Sequence, residues 1–126
     1  MILKYKDIAN KTFASGLSKL LNNDNLPIMI MLSLSKMYDE IVKEEKRYLE
    51  LRSKLYKDNV HEVNGAVEFI NKEKADICKF ELNKLDVSEF TIDVDSIEFK
   101  KEDVDSYNLT LTVLELKSLN IIMNIV

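Results

Sequence analysis

The sequence predicts an α+β domain that is predominantly helical, and three observations predict it. Only two glycines and one proline interrupt 126 residues, so helix breakers are scarce. One unbroken apolar periodicity runs from Pro27 to about Lys57, a length that suits a helix and no strand. Beyond it lie an Asn64-Gly65 pair between apolar stretches and one alternating apolar–polar segment, the marks of a hairpin and of a half-buried strand. A chain of this length suits a single domain with one modest core, and no repeat or linker divides it.

The elements follow in order. Asp7 is a helix start, after which Ile8, Phe13, Leu17, Leu20 and Leu21 recur at helical spacing. The "NNDN" stretch, Asn22 to Asn25, stops this helix, because its side chains compete for backbone hydrogen bonds. Pro27 then opens the long helix at its first position, where a missing N–H costs nothing. That helix is about 46 Å long at 1.5 Å per residue. One of its stripes reads Ile30, Leu34, Met37, Ile41, Glu44, Tyr48, Leu51 and Leu55, a seam of coiled-coil type broken only by Glu44. A second stripe, Ile28, Met31, Tyr38, Val42, Leu49 and Tyr56, lies beside the first.

The most apolar run of the chain, "LPIMIMLSLSKM", opens this helix and leads into the charged "YDEIVKEEKRY". The first turns therefore need cover on several sides, and the later turns need one partner. The short link lets the first helix fold back antiparallel over part of the face. The rest falls to the carboxy-terminal half, a second copy or another protein.

Residues 60–70, "VHEVNGAVEFI", form the hairpin, with Asn64-Gly65 supplying the positive φ angles of a type I′ turn. Asn71 caps a helix from about Lys72 to Leu85, with Ile77, Cys78, Phe80 and Leu85 on its inner side. Phe90, Ile92 and Val94 alternate with Thr91, Asp93 and Asp95 as a strand, and Ile97–Phe99 is a second short strand. Thr112 and Glu115 match the capping-box pattern, so a last helix begins at Val113 and carries Leu114, Leu116 and Leu119. The apolar tail "LNIIMNIV" is expected to dock against something.

Composition excludes several function classes. Apolar residues make up 46% and charged residues 32%, a globular balance. The formal charge is −4, and eight acidic side chains between Asp86 and Asp105 face only Lys100 and Lys101. Such a segment repels phosphate backbones, so nucleic acid is not a favoured partner. No run approaches the roughly 20 apolar residues that span a bilayer, and "MILKYKDIANK" lacks the apolar core of a secretion signal. A single cysteine, Cys78, permits no intrachain disulfide or cysteine-based zinc cluster. The protein is expected in a cytoplasm or carried from one within an assembly.

Chemistry-bearing residues are sparse. His61 is the only histidine, and no nucleophile elbow accompanies it. Two isolated glycines cannot build a phosphate-binding loop. Asp93, Asp95, Glu98, Asp103 and Asp105 could gather oxygen ligands for a divalent cation, but no glycine makes the sharp turn of a calcium loop and the spacing fits no standard site. The expectation is a protein with no catalytic residues, no cofactor and no metal, acting through a protein partner, a homo-oligomer or both. Candidate contact residues are Met29, Met31 and Met37, which suit either a core or a pliable groove. In the tail they are Ile121, Ile122, Met123, Ile125 and Val126, and in the acidic segment Asp93, Asp95, Glu98, Asp103 and Asp105.

The order of pieces resembles a group of small, functionally uncharacterised helical proteins of tailed bacteriophages and prophages. The stretches that carry the resemblance are "LPIMIMLSLSKMYDEIVKEEKRYLELRSKLY", "KFELNKLDVSEFTID" and "LTLTVLELKSLNIIM". The capped helix here lacks the proline of that pattern, and the apolar tail runs longer. The resemblance implies a phage setting but brings no established activity. The excess apolar helix surface, the apolar tail and the lack of catalytic groups lead to the expectation of a non-enzymatic virion or assembly component, found in the host cytoplasm or the virion. The alternative is an inhibitor that captures a host or defence protein through the acidic carboxy-terminal half. No functional residue transfers with it.

Overall fold

The long helix, α3, spans Ile28–Lys57 in the computed structural model, which describes residues 1–126. Pro27 stands one position earlier than expected, as the N-cap with extended backbone, and its carbonyl accepts from Met31 N at 3.0 Å. The chain before it is β1 (Ile2–Lys4), a single turn α1 (Tyr5–Ile8) and α2 (Lys11–Leu21). Asp7 therefore starts no long helix. Asn10 breaks the segment and caps α2, its Oδ1 accepting from Thr12 N at 2.8 Å.

After α3 come β2 (Val60–Val63) and β3 (Ala66–Phe69), an antiparallel hairpin with Asn64 at φ 53° and Gly65 at φ 81°. Positive φ at both turn residues is the type I′ requirement read from the sequence. Asn59 fastens the hairpin to the end of α3: its Nδ2 donates to Leu55 O at 2.7 Å, and its carbonyl accepts from Ile70 N. Next is α4 (Lys72–Asp86), capped by Asn71, whose Oδ1 accepts from Lys74 N. Only Cys78 of α4 is fully buried; Ile77 and Phe80, expected inside, face outward, with Phe80 63% exposed.

The acidic strands do not join the hairpin. β4 (Glu89–Thr91) pairs antiparallel with β1, matching Leu3 to Phe90. β5 (Ile97–Phe99) pairs in parallel with β6 (Met123–Ile125), matching Phe99 to Ile125. Two 3₁₀ turns (101–103 and 105–107) and α5 (Val113–Leu119) connect these last two strands. The architecture is thus α+β and mostly helical, with three two-stranded sheets around one helical framework.

One core joins β1, α1, α2, α3, β4, β5, α5 and β6. Its centre holds Phe13, Leu20, Leu34, Met37, Ile92, Phe99, Leu119 and Ile122. Tyr5 stacks between Tyr48 and Phe90, with ring centroids 5.4 and 4.8 Å away. Its hydroxyl donates to Glu44 Oε2 at 2.8 Å, which explains the one charged residue in the apolar seam. Burial and that carboxylate push the Tyr5 phenol up from its ordinary value.

The first helix does fold back on α3, but its closest packing is against α5. Gly16 permits this: a Cβ there would lie 2.9 Å from Leu119 Cδ1 and 3.3 Å from Glu115 Cβ. Glu115, nearly buried, joins the two helices. It accepts from Lys19 Nζ at 2.7 Å, Ser15 Oγ at 2.6 Å and Thr112 N at 2.8 Å. The capping box read from the sequence is therefore also an interhelical tie.

A candidate protein-binding face on the long helix

The first α3 stripe is buried only in part. Leu34, Met37, Ile41 and Tyr48 are inside and Ile30 is half-buried, but Leu51 is exposed and Leu55 only half-covered. The opening turns are not covered on several sides. Ile28, at 71% exposed, Met29, Met31 and Leu32 all face out, because α2 is engaged with α5 and only the segment from Asp93 to Glu98 comes near, beside Met29.

The second stripe, about a quarter-turn around the helix, is largely uncovered, although Tyr56 at its end stacks on Phe69 of the hairpin with ring centroids 6.5 Å apart. Met31, Tyr38, Val42, Leu49 and Tyr56 are all exposed, Leu49 by 54%. With Ser35, Glu45 and Arg52 in the gaps, the series runs 31, 35, 38, 42, 45, 49, 52, 56 in alternating steps of four and three. Such steps keep a stripe on one side of a helix that packs along another helix. Isolated exposed apolar residues are ordinary, whereas several along one helix face are a candidate contact surface.

Neighbouring elements shape this row into a groove. On one side α2 presents Ala14, Ser18 and Leu21, and between the helices lies a recess of about 570 Å³ floored by Phe13, Leu17 and Ile41. Farther along, Lys11 and Asn10 border the recess beside Glu45, Leu49 and Arg52. The small side chains of Ala14 and Ser18 leave room for an incoming helix. On the opposite rim stand Asp39 and Lys46, both exposed. Arg52 is drawn toward the core side: its Nη1 donates to Tyr48 Oη at 3.2 Å, and its guanidinium lies 5.7 Å from the Tyr56 ring centre. Tyr48 donates in turn to Asp86, so burial and the Asp86 carboxylate hold its phenol above the ordinary value.

The residues proposed from sequence fall in several places. Met37, Ile122 and Met123 are completely buried and can contact no partner; they are core, and this corrects their assignment to a contact surface. Ile121 is half-buried, while Ile125 and Val126 are exposed at the sheet edge. The tail docks on its own chain, with Val126 N donating to Phe99 O at 2.8 Å. Met29 borders a second, shallower groove with Ile30, Ser33 and Lys36, whose other wall is Asp93 to Glu98. There Lys36 Nζ lies 3.8 Å from Asp93 Oδ2, and Glu40 Oε1 accepts from Asp93 N at 3.3 Å. Asp103 and Asp105 sit on the 3₁₀ turns and do not line either groove. Asp93, Asp95 and Asp103 do not converge, since no three carboxylate, thiol or imidazole groups lie close enough together to hold an ion.

His61 lies on the exposed hairpin, 3.8 Å from Glu68, whereas Cys78 is sealed beneath α3 with its Sγ toward Leu55 O. They form no pair. Tyr38, Val42, Leu49 and Tyr56 were legible as apolar stripe but not as contact residues. Their four–three spacing matches that of the buried stripe, so no signal in the sequence separated the two. No helix is long and apolar enough to cross a membrane. No family profile, curated protein or solved structure matches this chain.

Proposed function

We propose that this chain acts without catalysis, through protein–protein contact, as a virion or assembly component of a tailed bacteriophage. The single observation behind the contact reading is the exposed apolar row Met31–Tyr38–Val42–Leu49–Tyr56 on a helix otherwise anchored in the core. The non-catalytic reading rests on the sequence, which carries no nucleophile elbow, phosphate-binding loop or standard metal spacing. The phage setting rests on the resemblance in element order. The test is quantitative detection of the chain in purified particles and assembly intermediates, for the native sequence and for Leu49→Asp. Incorporation that the substitution abolishes is the expected result. Absence from both fractions contradicts the reading.

A second reading, capture of a host or defence protein by the acidic half, is favoured by one observation. The Asp93 side chain is 99% exposed on the rim of the groove that Asp95 and Glu98 also line. Pull-down from host lysate at low and high salt tests it, since contacts between exposed charges weaken with salt. A partner lost at high salt and on Asp93→Lys supports capture; no such partner contradicts it.

A further inference from the structure

We infer that the occupant of the α3 groove is a second copy of this chain, laid antiparallel about a two-fold axis between Lys43 and Glu44. The inference rests on the contact reading above and names its partner. Charge chooses between the ways two such stripes can meet. In a parallel, in-register pair each residue faces its own copy, so Glu45 opposes Glu45 and Arg52 opposes Arg52 across the seam. Two like-charged layers in an otherwise apolar contact disfavour that arrangement.

Reversing one copy moves the two Arg52 side chains about 26 Å apart along the helix and takes the two Glu45 side chains out of a shared layer. About the stated axis, Arg52 meets Ser35 and Glu45 meets Val42, while Tyr38 packs on Leu49 and Met31 on Tyr56. Each contact occurs twice, as a two-fold interface requires. The Glu45 carboxylates then lie in successive layers, with their heads free to reach the rim.

The rim fixes the register. In this alignment Asp39 of one copy stands opposite Lys46 of the other, on the side away from α2, and the pair is repeated by symmetry. Sliding the copies by one heptad in one direction sets Lys46 against Lys46; in the other it sets Asp39 against Asp39. Both slides also shorten the contact, which in the chosen register runs from Met31 to Tyr56, about 38 Å at 1.5 Å per residue. On the opposite side, Ala14 and Ser18 of α2 are small enough to admit the incoming helix.

Cysteine pairing in the full chain tests orientation directly, because the only native cysteine is buried. Tyr38→Cys and Leu49→Cys proteins are prepared separately and oxidised alone or as a mixture. The expected result is a crosslinked dimer in the mixture and none with either variant alone. Crosslinking of Leu49→Cys by itself indicates a parallel pair and overturns the inference. A second arm exchanges the rim charges: Asp39→Lys weakens the dimer about tenfold, and the double exchange Asp39→Lys with Lys46→Asp restores it. Failure of restoration overturns the register. A chain that stays monomeric and uncrosslinked overturns the dimer altogether. If Leu49→Asp still blocks incorporation into particles in that case, the contact reading stands with a different partner.

Discussion

Glu115 illustrates how much one side chain carries in this fold. The Lys19 ammonium, then the Ser15 hydroxyl, then the Thr112 amide hold its carboxyl at about 2, against an ordinary 4.5. A folded value below the unfolded one means that this stabilisation is complete above the unfolded value and is lost as pH falls toward the folded one. The window is therefore from about 4.5 down to about 2. Urea unfolding at neutral pH and near pH 3 should show a drop in midpoint for the native chain and a smaller drop for Glu115→Gln. Gly16 is the other decisive residue. Val in its place must push against Leu119 and Glu115, and the expected cost is about 1–3 kcal/mol, read from the denaturation midpoint. The capping box was legible in Thr112 and Glu115 because it is local. The role of Gly16 was not, because its partner is about a hundred residues away and leaves no spacing to read.

Among the elements, α3 separates two kinds of apolar residue that look alike in sequence. Leu34 is buried against the core and Leu49 faces outward, although both belong to stripes with helical spacing. Leu34→Ala should cost about 2–5 kcal/mol, through lost contacts and a residual cavity. Leu49→Ala should change the stability of the dilute chain by less than about 0.5 kcal/mol, since more than half of Leu49 already faces solvent. Equal costs for the two would mean that α3 is rotated from the orientation described. Helices α3, α4 and α5, the hairpin and the strand Ile97–Phe99 were readable because periodicity, caps and the Asn-Gly turn are written within each segment, whereas the first acidic strand, expected to run to Asp95, ends at Thr91. The pairing of strands was not. β1 finds β4 across more than eighty residues and β5 finds β6 across some twenty-five, and such short strands carry no mark of their partners. The same limit hid which of the two α3 stripes the rest of the chain would cover.

For the whole molecule, closure depends on the tail and openness on the long helix. Ile122 and Met123 complete the core while β6 holds β5, so removing residues 121–126 should abolish the cooperative thermal transition and the near-ultraviolet dichroism of the packed aromatic residues. The row from Met31 to Tyr56 is surplus to that closed core. In the proposed function, another chain covers this surplus. Sedimentation equilibrium of the full chain over a wide concentration range tests this most directly. The expected mass is twice 14.6 kDa for the native protein and 14.6 kDa for Leu49→Asp with an unchanged circular dichroism spectrum. A native chain that remains at 14.6 kDa at the highest attainable concentration would contradict self-association, as would a two-chain mass that Leu49→Asp leaves intact.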